Sequence, residues 1–411
     1  MTAVVQQHPR GVLLVGTGFM GAAHAHAWST VGHFFPSPSP RLVGVVAQDP
    51  RRTAEFAARW GFEHWGTDLA EALSWDGVDL VDVASPNNLH REHALAALAA
   101  GMPVLCEKPL AHTIDDAAAM ADAARRSGLR TYVWFNYRRV PAVTLARRLV
   151  ADGRIGRILQ VRAAYLQSWG LGAPHSWRFD IGAAGSGAHG DINAHIVDMV
   201  RYVTGLEVEA IDGAVQRRFV DAHPDASGTS VASTVDDVSI VLASLTGGAT
   251  ATFEASRVAL GFLCAERFEI HGDGGAVRFD FERMNELGFV DGTAPRQTQG
   301  WTTIHVTRGD AGHPYVDHWW PEGHGLGYDH TFVHHAADVL ADLAGRPTVG
   351  PLADFADALR TERVLHAATS MTRDRNAPKV VYDDDRDGDD NGDDNGDDDD
   401  NGDDDSDGSR R

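Results

Sequence analysis

Residues 11–16 read GVLLVG and run without a break into Gly16-Thr17-Gly18-Phe19-Met20-Gly21. A continuous apolar run of that length suits a parallel strand buried on both faces. A G-x-G-x-x-G turn between such a strand and the helix expected over Ala22–Thr30 constrains the fold more than any other feature. The first glycine permits the tight turn and the second lets backbone approach a pyrophosphate. The third lets helix pack on strand, and the anion rests on helix-terminal N–H groups. Gly16, Gly18, Phe19 and Met20 are therefore expected at a dinucleotide.

The same alternation continues downstream. Arg41–Ala47, Val78–Ala84, Pro103–Cys106 and Arg130–Phe135 read as further strands, with helices over Thr53–Trp60, His90–Ala100 and Ile114–Ser127. Strand and helix alternating at this spacing predict an α/β Rossmann domain, a doubly wound parallel sheet, over residues 10–135. Beyond it, Arg157–Leu166, Glu207–Phe219, Asp237–Leu245, Ala249–Ala255, Arg267–His271 and Ala276–Phe281 read as strands. Gly247-Gly248 and Asp273-Gly274-Gly275 supply turns, and Tyr328–Ala344 and Phe355–Met371 read as helices. Residues 136–382 are thus expected to form an α+β domain on a large, mostly antiparallel open sheet. Residues 383–411 contain Asp, Asn and Gly with no apolar side chain, the composition of a disordered acidic tail. Asp387–Gly392 and Asp397–Gly402 imitate the start of a calcium loop but lack its closing glutamate.

Charge and cysteine content narrow the class. The formal net charge is −22, of which the tail's 16 Asp and three Arg supply −13, leaving −9 for the body. Such a surface repels nucleic acid. The first apolar run is too short for a signal peptide or membrane span, and two cysteines, Cys106 and Cys264, cannot make a disulfide framework. A cytoplasmic protein with neither nucleic-acid nor membrane partners is expected. Of 36 basic residues only Lys108 and Lys379 are lysines. A GC-rich genome explains the bias, and a lysine kept against it suggests a place where arginine, always charged, does not serve.

Three stretches carry the chemistry. The second strand runs into Gln48-Asp49-Pro50-Arg51-Arg52. Asp49 suits a ribose 2′-OH while the arginines suit a 2′-phosphate, so NAD and NADP both stay open, with NAD favoured. Ser85-Pro86-Asn87-Asn88-Leu89-His90 and Cys106-Glu107-Lys108-Pro109 end the third and fourth strands on one rim, where open parallel sheets bind ligands. Ser85 or Asn87 can equally cap the following helix. Lys108 there can transfer a proton or orient a hydroxyl beside a nicotinamide. In Asp191-Ile-Asn-Ala-His195-Ile-Val-Asp198, a helix places Asp191 and His195 on one face. A carboxylate there would raise the basicity of the imidazole and orient it. The bland alternative is a helix start with acidic residues favoured by its dipole. His189, Asp191 and His195 do not have the spacing of a zinc ligand set, so no metal is expected. His324, in Trp320-Pro-Glu-Gly-His-Gly, is a further candidate contact for a polar substrate.

With these residues together, the chain resembles the Gfo/Idh/MocA oxidoreductases over about residues 10–380. The strand-end G-x-G-x-x-G, the Glu107-Lys108-Pro109 turn and Asp191-x-x-x-His195-x-x-Asp198 stand in that family's order. The resemblance implies Lys108, Asp191 and His195 as the catalytic trio. It places Ser85, Asn87, His90, Glu107, Lys108, Asn136, Trp177 and Arg178 at the cofactor. Tyr137, Arg138, Lys108, Asp191 and His195 would bind substrate. The peptide before Pro109 is often cis in such proteins. Several stretches, among them Phe135-Asn-Tyr-Arg-Arg139 and Ser176-Trp-Arg-Phe179, are most like a member that oxidises an anhydrosugar. Departures are Ala47, His189-Gly190 and Asn193, at positions where relatives usually differ. The implied activity is NAD(P)-dependent oxidation of a secondary ring hydroxyl of a sugar, anhydrosugar or inositol. The alternatives are a redox-cycling lyase, epimerase or glycosidase that retains its NAD, and a nucleotide-sensing regulator. An open sheet face further implies a homodimer or homotetramer.

Overall fold

The structure, a computed structural model, describes residues 9–373. The segment expected to be a disordered tail, with residues 374–382 before it, lies outside the described residues. Six parallel strands form the first sheet: β1 (Gly11–Val15), β2 (Arg41–Val46), β3 (His64–Gly66), β4 (Leu80–Val83), β5 (Val104–Cys106) and β6 (Thr131–Val133). Their order is β3-β2-β1-β4-β5-β6, so the strand order reverses between β1 and β4. Helices α1 (Phe19–Phe34), α2 (Pro50–Trp60), α3 (Leu69–Ala72), α4 (His90–Ala99) and α5 (Ile114–Ser127) connect them. β3 is the strand that the sequence pattern does not announce: its residues His64 and Trp65 are exposed and it has no apolar run.

β4 carries a charge in its buried centre. Asp82 has no exposed surface, yet its carboxylate accepts from the indoles of Trp28 (2.7 Å) and Trp134 (2.9 Å). His24 Nδ1 lies 3.1 Å from the same group. A buried carboxylate is tolerable only when paired and hydrogen-bonded in this way. It fixes α1, the helix that follows the glycine turn, onto the middle of the sheet.

The second sheet has eight strands in the order β16-β15-β14-β13-β7-β12-β11-β8. They are β7 (Ile158–Leu166), β8 (Val208–Arg217), β11 (Val238–Leu245), β12 (Thr250–Ser256), β13 (Ala265–Gly272), β14 (Gly275–Asp280), β15 (Glu286–Asp291) and β16 (Thr302–His305); a small ribbon pairs β9 (Ala222–Pro224) with β10 (Ser230–Ala232). All neighbours in the large sheet are antiparallel except β7 and β12. The six expected strands are present; β15 and β16 are additional, with Leu287 and Phe289 of β15 alternating into the core. Helices α6 (Pro141–Ala151) and α8 (Ala194–Thr204) pack on one face, and a short α7 (Ile181–Ala184) precedes α8. The last two helices among the described residues, α9 (Tyr328–Leu343) and α10 (Phe355–Arg373), return to the first sheet. Phe355, Ala358 and Leu359 share a core with Leu13, Val81 and Val104, while Phe332 and Ala336 pack with Trp28 and Trp134. No helix among the described residues is long and apolar enough to cross a membrane.

Removing the Asp82 carboxylate strands an imidazole and two indole N–H groups in the core. Asp82→Ala is expected to lower unfolding stability by about 3–5 kcal/mol, read from the midpoint of a urea titration. A loss below about 1 kcal/mol would show that the hub is dispensable.

Candidate active site

A cleft of ≈ 1620 Å³ runs from the glycine turn after β1 to the start of α8. Its floor is the C-terminal rim of the parallel sheet. Gly16 has φ +117°, and a Cβ there would lie 2.5 Å from the carbonyl oxygen of Ala84. A Cβ on Gly21 would lie 2.3 Å from the Gly16 oxygen, whereas one on Gly18 would meet nothing within 4 Å. The outer two glycines thus bring strand and helix together, and the middle one leaves its space open to the cleft. That empty cradle at a helix N-terminus fits a pyrophosphate. Phe19, Met20, Asp49, Ser85 and Asn87 line the same stretch. Asp49 Oδ1 accepts from Arg52 N as the cap of α2, and Arg52 also faces the cleft.

The Glu107-Lys108-Pro109 turn follows β5, and the Lys108–Pro109 peptide is cis. Glu107 folds back so that Oε2 accepts from Lys108 N (3.0 Å) while Oε1 meets His24 Nε2 (3.0 Å). Two residues on, Leu110 N donates to Glu362 of α10 (2.8 Å). Burial pushes the Glu362 carboxyl up to about 8, against the opposing pull of the Leu110 and Ala111 amides and Lys108. Burial alone would lower the His24 imidazole, but Asp82 and Glu107 raise it from 6.5 to about 9. The turn that presents Lys108 is therefore clamped by a buried imidazolium on one side and a buried carboxyl on the other.

From across the cleft comes Asp191. It sits in a π turn, His189–Asn193, that leads into α8. The turn is fixed from a distance: Asp236 accepts from Ser186 Oγ, Gly187 N and His189 N at 3.0, 2.8 and 2.7 Å. Lys108 Nζ donates to Asp191 Oδ1 and to its backbone oxygen, each at 2.9 Å. Arg257 Nη2 donates to Oδ2 at 2.8 Å. Burial would raise the Asp191 carboxyl, but Lys108, Arg257 and Arg178 hold it well below the usual carboxylate range. His195, one turn later, is 7% exposed and packs edge-on against Tyr137, with ring centroids 4.7 Å apart. Burial and the Lys108 charge push its imidazole well below 6.5, with Asp191 opposing. A neutral imidazole, an ammonium and a carboxylate thus meet at one end of the cleft, a set able to move a proton and steady a developing alkoxide.

Asn136, Tyr137, Trp177 and Arg178 also line the cleft, as expected. Three expected contacts do not. His90 is buried behind the rim and bridges the carbonyls of Ser85 and Pro109. Arg138 points away to Asp198 and Asp357, joining the turn after β6 to α8 and α10. That ion pair also makes Asp198, the last residue of the Asp-x-x-x-His-x-x-Asp stretch, a structural group. His324 is exposed and holds only the carbonyl of Pro321. Nor does Asp191 orient His195 by a hydrogen bond; both its oxygens are taken by Lys108 and Arg257. His189 and Asn193 hydrogen-bond each other and lie outside the cleft. Sequence reading missed Tyr165, Gln167, Trp169, His175, Cys264 and Tyr328 on the wall. Tyr165 OH joins Tyr137 OH (2.8 Å) and Cys264 Sγ (3.2 Å), and Trp169 donates to Gln167 (2.8 Å). They come from separate places in the chain: Tyr165 near the end of β7, Gln167, Trp169 and His175 in the loop after it, Cys264 just before β13 and Tyr328 at the start of α9, so no local pattern in the sequence marks them together.

A glycine-turn cradle opening on a lysine, an aspartate and a histidine at the end of the cleft fits a dinucleotide-dependent dehydrogenase. The chain belongs to the Gfo/Idh/MocA oxidoreductases: residues 10–135 match the model described as "Oxidoreductase family, NAD-binding Rossmann fold" and residues 143–278 the family's C-terminal domain. It is 38% identical to levoglucosan dehydrogenase of Pseudarthrobacter phenanthrenivorans over 361 residues, 84% of this chain and 91% of that one. A solved oxidoreductase domain protein from Kribbella flavida is 43% identical and superimposes with a TM-score of 0.87 over 91% of this chain and 100% of its own. A levoglucosan dehydrogenase complex with NADH and levoglucosan is 36% identical, with a TM-score of 0.85 over 91% and 100%.

The clamp predicts a pH dependence. Because the folded His24 value (about 9) exceeds its ordinary 6.5, its contribution is full below 6.5 and is lost as pH rises through 9. Glu362, raised from 4.5 to about 8, acts in the same direction over its own range. The melting temperature is expected to fall between pH 6.5 and 9, and to fall less in His24→Gln. Equal slopes in the two proteins would rule out a protonated His24.

Proposed function

We propose that the chain oxidises a secondary ring hydroxyl of an anhydrosugar or closely related sugar to a ketone, with NAD as the partner. The observation that carries this reading is the convergence of Lys108, Asp191 and neutral His195 at the end of the dinucleotide cleft. Lys108, held at 2.9 Å by Asp191, would bind the reacting hydroxyl and stabilise its oxygen as negative charge develops. His195, neutral above its lowered value, would take the hydroxyl proton. When bound, the nicotinamide supplies the hydride acceptor. Gly16, Gly18, Phe19, Met20, Asp49, Ser85, Asn87, Glu107, Asn136, Trp177 and Arg178 would hold that cofactor. Tyr137 would flank the sugar, with the Trp169–Gln167 pair and Tyr165 beside it. The anhydrosugar reading is supported by the levoglucosan dehydrogenase similarity over nearly the whole chain.

The division of labour would follow the two sheets: residues 10–135 for cofactor and the remainder for substrate. The outer face of the second sheet exposes Val215, Ile240 and Leu242 at 43%, 47% and 47%, an apolar surface suited to pairing with a second copy. Cys106, buried, and Cys264, beside Tyr165, are unpaired and fit a reducing, cytoplasmic setting.

A spectrophotometric screen of levoglucosan, other sugars and inositols with NAD+ and NADP+ in parallel tests the reading. Levoglucosan with NAD+ is expected to give stoichiometric reduced cofactor, and His195→Asn to lower kcat by roughly 10²–10⁴-fold. Product without accumulated reduced cofactor would favour the redox-cycling alternative. Tight cofactor binding with no turnover across the panel would favour a regulator.

A further inference from the structure

Arg257 follows β12 directly and is 1% exposed, yet no motif points to it. Its guanidinium makes one ion pair among the described residues, to Asp191 Oδ2. Nη1 donates to the backbone oxygen of Arg178 at 3.3 Å, and the charge lies 5.0 Å from the centre of the Trp169 ring. Nε has no acceptor. Burying a guanidinium is costly, and a carbonyl and an indole face offset only part of that cost. The remaining compensation is the carboxylate that also holds Lys108. The backbone is arranged for this approach. Gly170 N donates to the Arg257 oxygen at 2.8 Å, and a Cβ on Gly170 would lie 2.8 Å from that oxygen and 3.0 Å from the Arg257 Cβ. The Trp169 loop can therefore close on Arg257 only because residue 170 lacks a side chain.

We propose that Arg257 is a positioning residue that holds Asp191 from behind, so that Lys108 stays aimed at the reacting hydroxyl, and that ties this pair to the Trp169 wall of the substrate end. It rests on the reading of Lys108 and Asp191 as the reacting pair. With Lys108 on one oxygen and Arg257 on the other, the carboxylate plane cannot turn. A hydroxyl entering the site meets an ammonium whose position is already set, which lowers the cost of reaching reactive geometry. Lysine cannot reproduce the two-directional contact to Asp191 and Arg178, because its ammonium is a point charge without the planar fork.

The test compares wild type with Arg257→Met, Arg257→Lys and Asp191→Asn, using levoglucosan and NAD+ for turnover. NADH fluorescence gives cofactor affinity, and carbon NMR follows the Asp191 carboxyl through a pH titration. Arg257→Met is expected to lower kcat on the order of 100-fold with NADH affinity nearly unchanged. The Asp191 carboxyl should titrate at higher pH in this variant than in wild type, and Arg257→Lys should recover part of both effects. Wild-type kcat in Arg257→Met, or an Asp191 titration that does not move, overturns the proposal. So does a loss of activity that is matched by lost NADH affinity and is not relieved by lysine. Should the methionine variant not fold, the lysine variant decides. An intermediate kcat with normal NADH affinity supports the proposal, and a wild-type kcat overturns it. If wild type does not oxidise levoglucosan, or Asp191→Asn keeps full activity, the functional reading fails instead. The carboxyl titration then still decides whether Arg257 governs Asp191.

Discussion

One ion pair, Lys108 to Asp191, spans the cleft, and the structure on either side is arranged to keep its two ends in place. The lysine comes from the rim of the parallel sheet and the aspartate from the entry to a helix on the second sheet. Behind the lysine stand Glu107, His24 and Asp82, a chain of buried charges that runs from the Lys108 turn to the centre of β4. Behind the aspartate stand Arg257 and, through the backbone, Asp236. Asp82, His24, Glu107 and Arg257 are buried, and Asp236 accepts three hydrogen bonds, so the ends of the pair are held by groups with little freedom to move. That arrangement suits a reaction in which a proton and a hydride leave neighbouring atoms and small errors in distance are costly.

The buried charges also explain why the two sheets act together. Arg138 and Asp198 join the turn after β6 to α8, and Asp357 extends the contact to α10. α10 returns to the first sheet and sends Glu362 to the amide of Leu110, beside the Lys108 turn. The last helix among the described residues thus helps to place a lysine more than 200 residues earlier, although its sequence carries no recognisable site motif.

Much of this was legible beforehand, for a physical reason. Gly16 and Gly21 are required by close backbone approach, Gly18 leaves room at the cleft, and Lys108 stood out because arginine replaces lysine nearly everywhere else. Repetition of strand and helix fixed the parallel sheet, and most second-sheet strands showed their alternation. What could not be read were contacts made between distant strands. Arg257 meets Asp191, Asp236 caps the π turn and Asp82 gathers two indoles, and none of these pairings leaves a local pattern. The same limit misplaced Arg138 and His90: each sits next to true cleft residues in sequence, but its side chain leaves on the other side of the turn. His324, proposed as a polar-substrate contact, is exposed and lies outside the cleft. The link between Asp191 and His195 was inferred from helical spacing, yet stronger cationic partners take both carboxylate oxygens.

In the proposed reaction, the Lys108–Asp191 pair and His195 remove a proton from a ring hydroxyl while the hydride of the same carbon passes to the nicotinamide. Levoglucosan carrying deuterium at its ring carbinol carbons, incubated with NAD+ and the wild-type chain, tests that claim most directly through mass analysis of the recovered cofactor. Deuterium in the reduced nicotinamide, one atom for each ketone formed, is the expected result. Ketone formed without deuterium in the cofactor, or no ketone at all, would contradict the account.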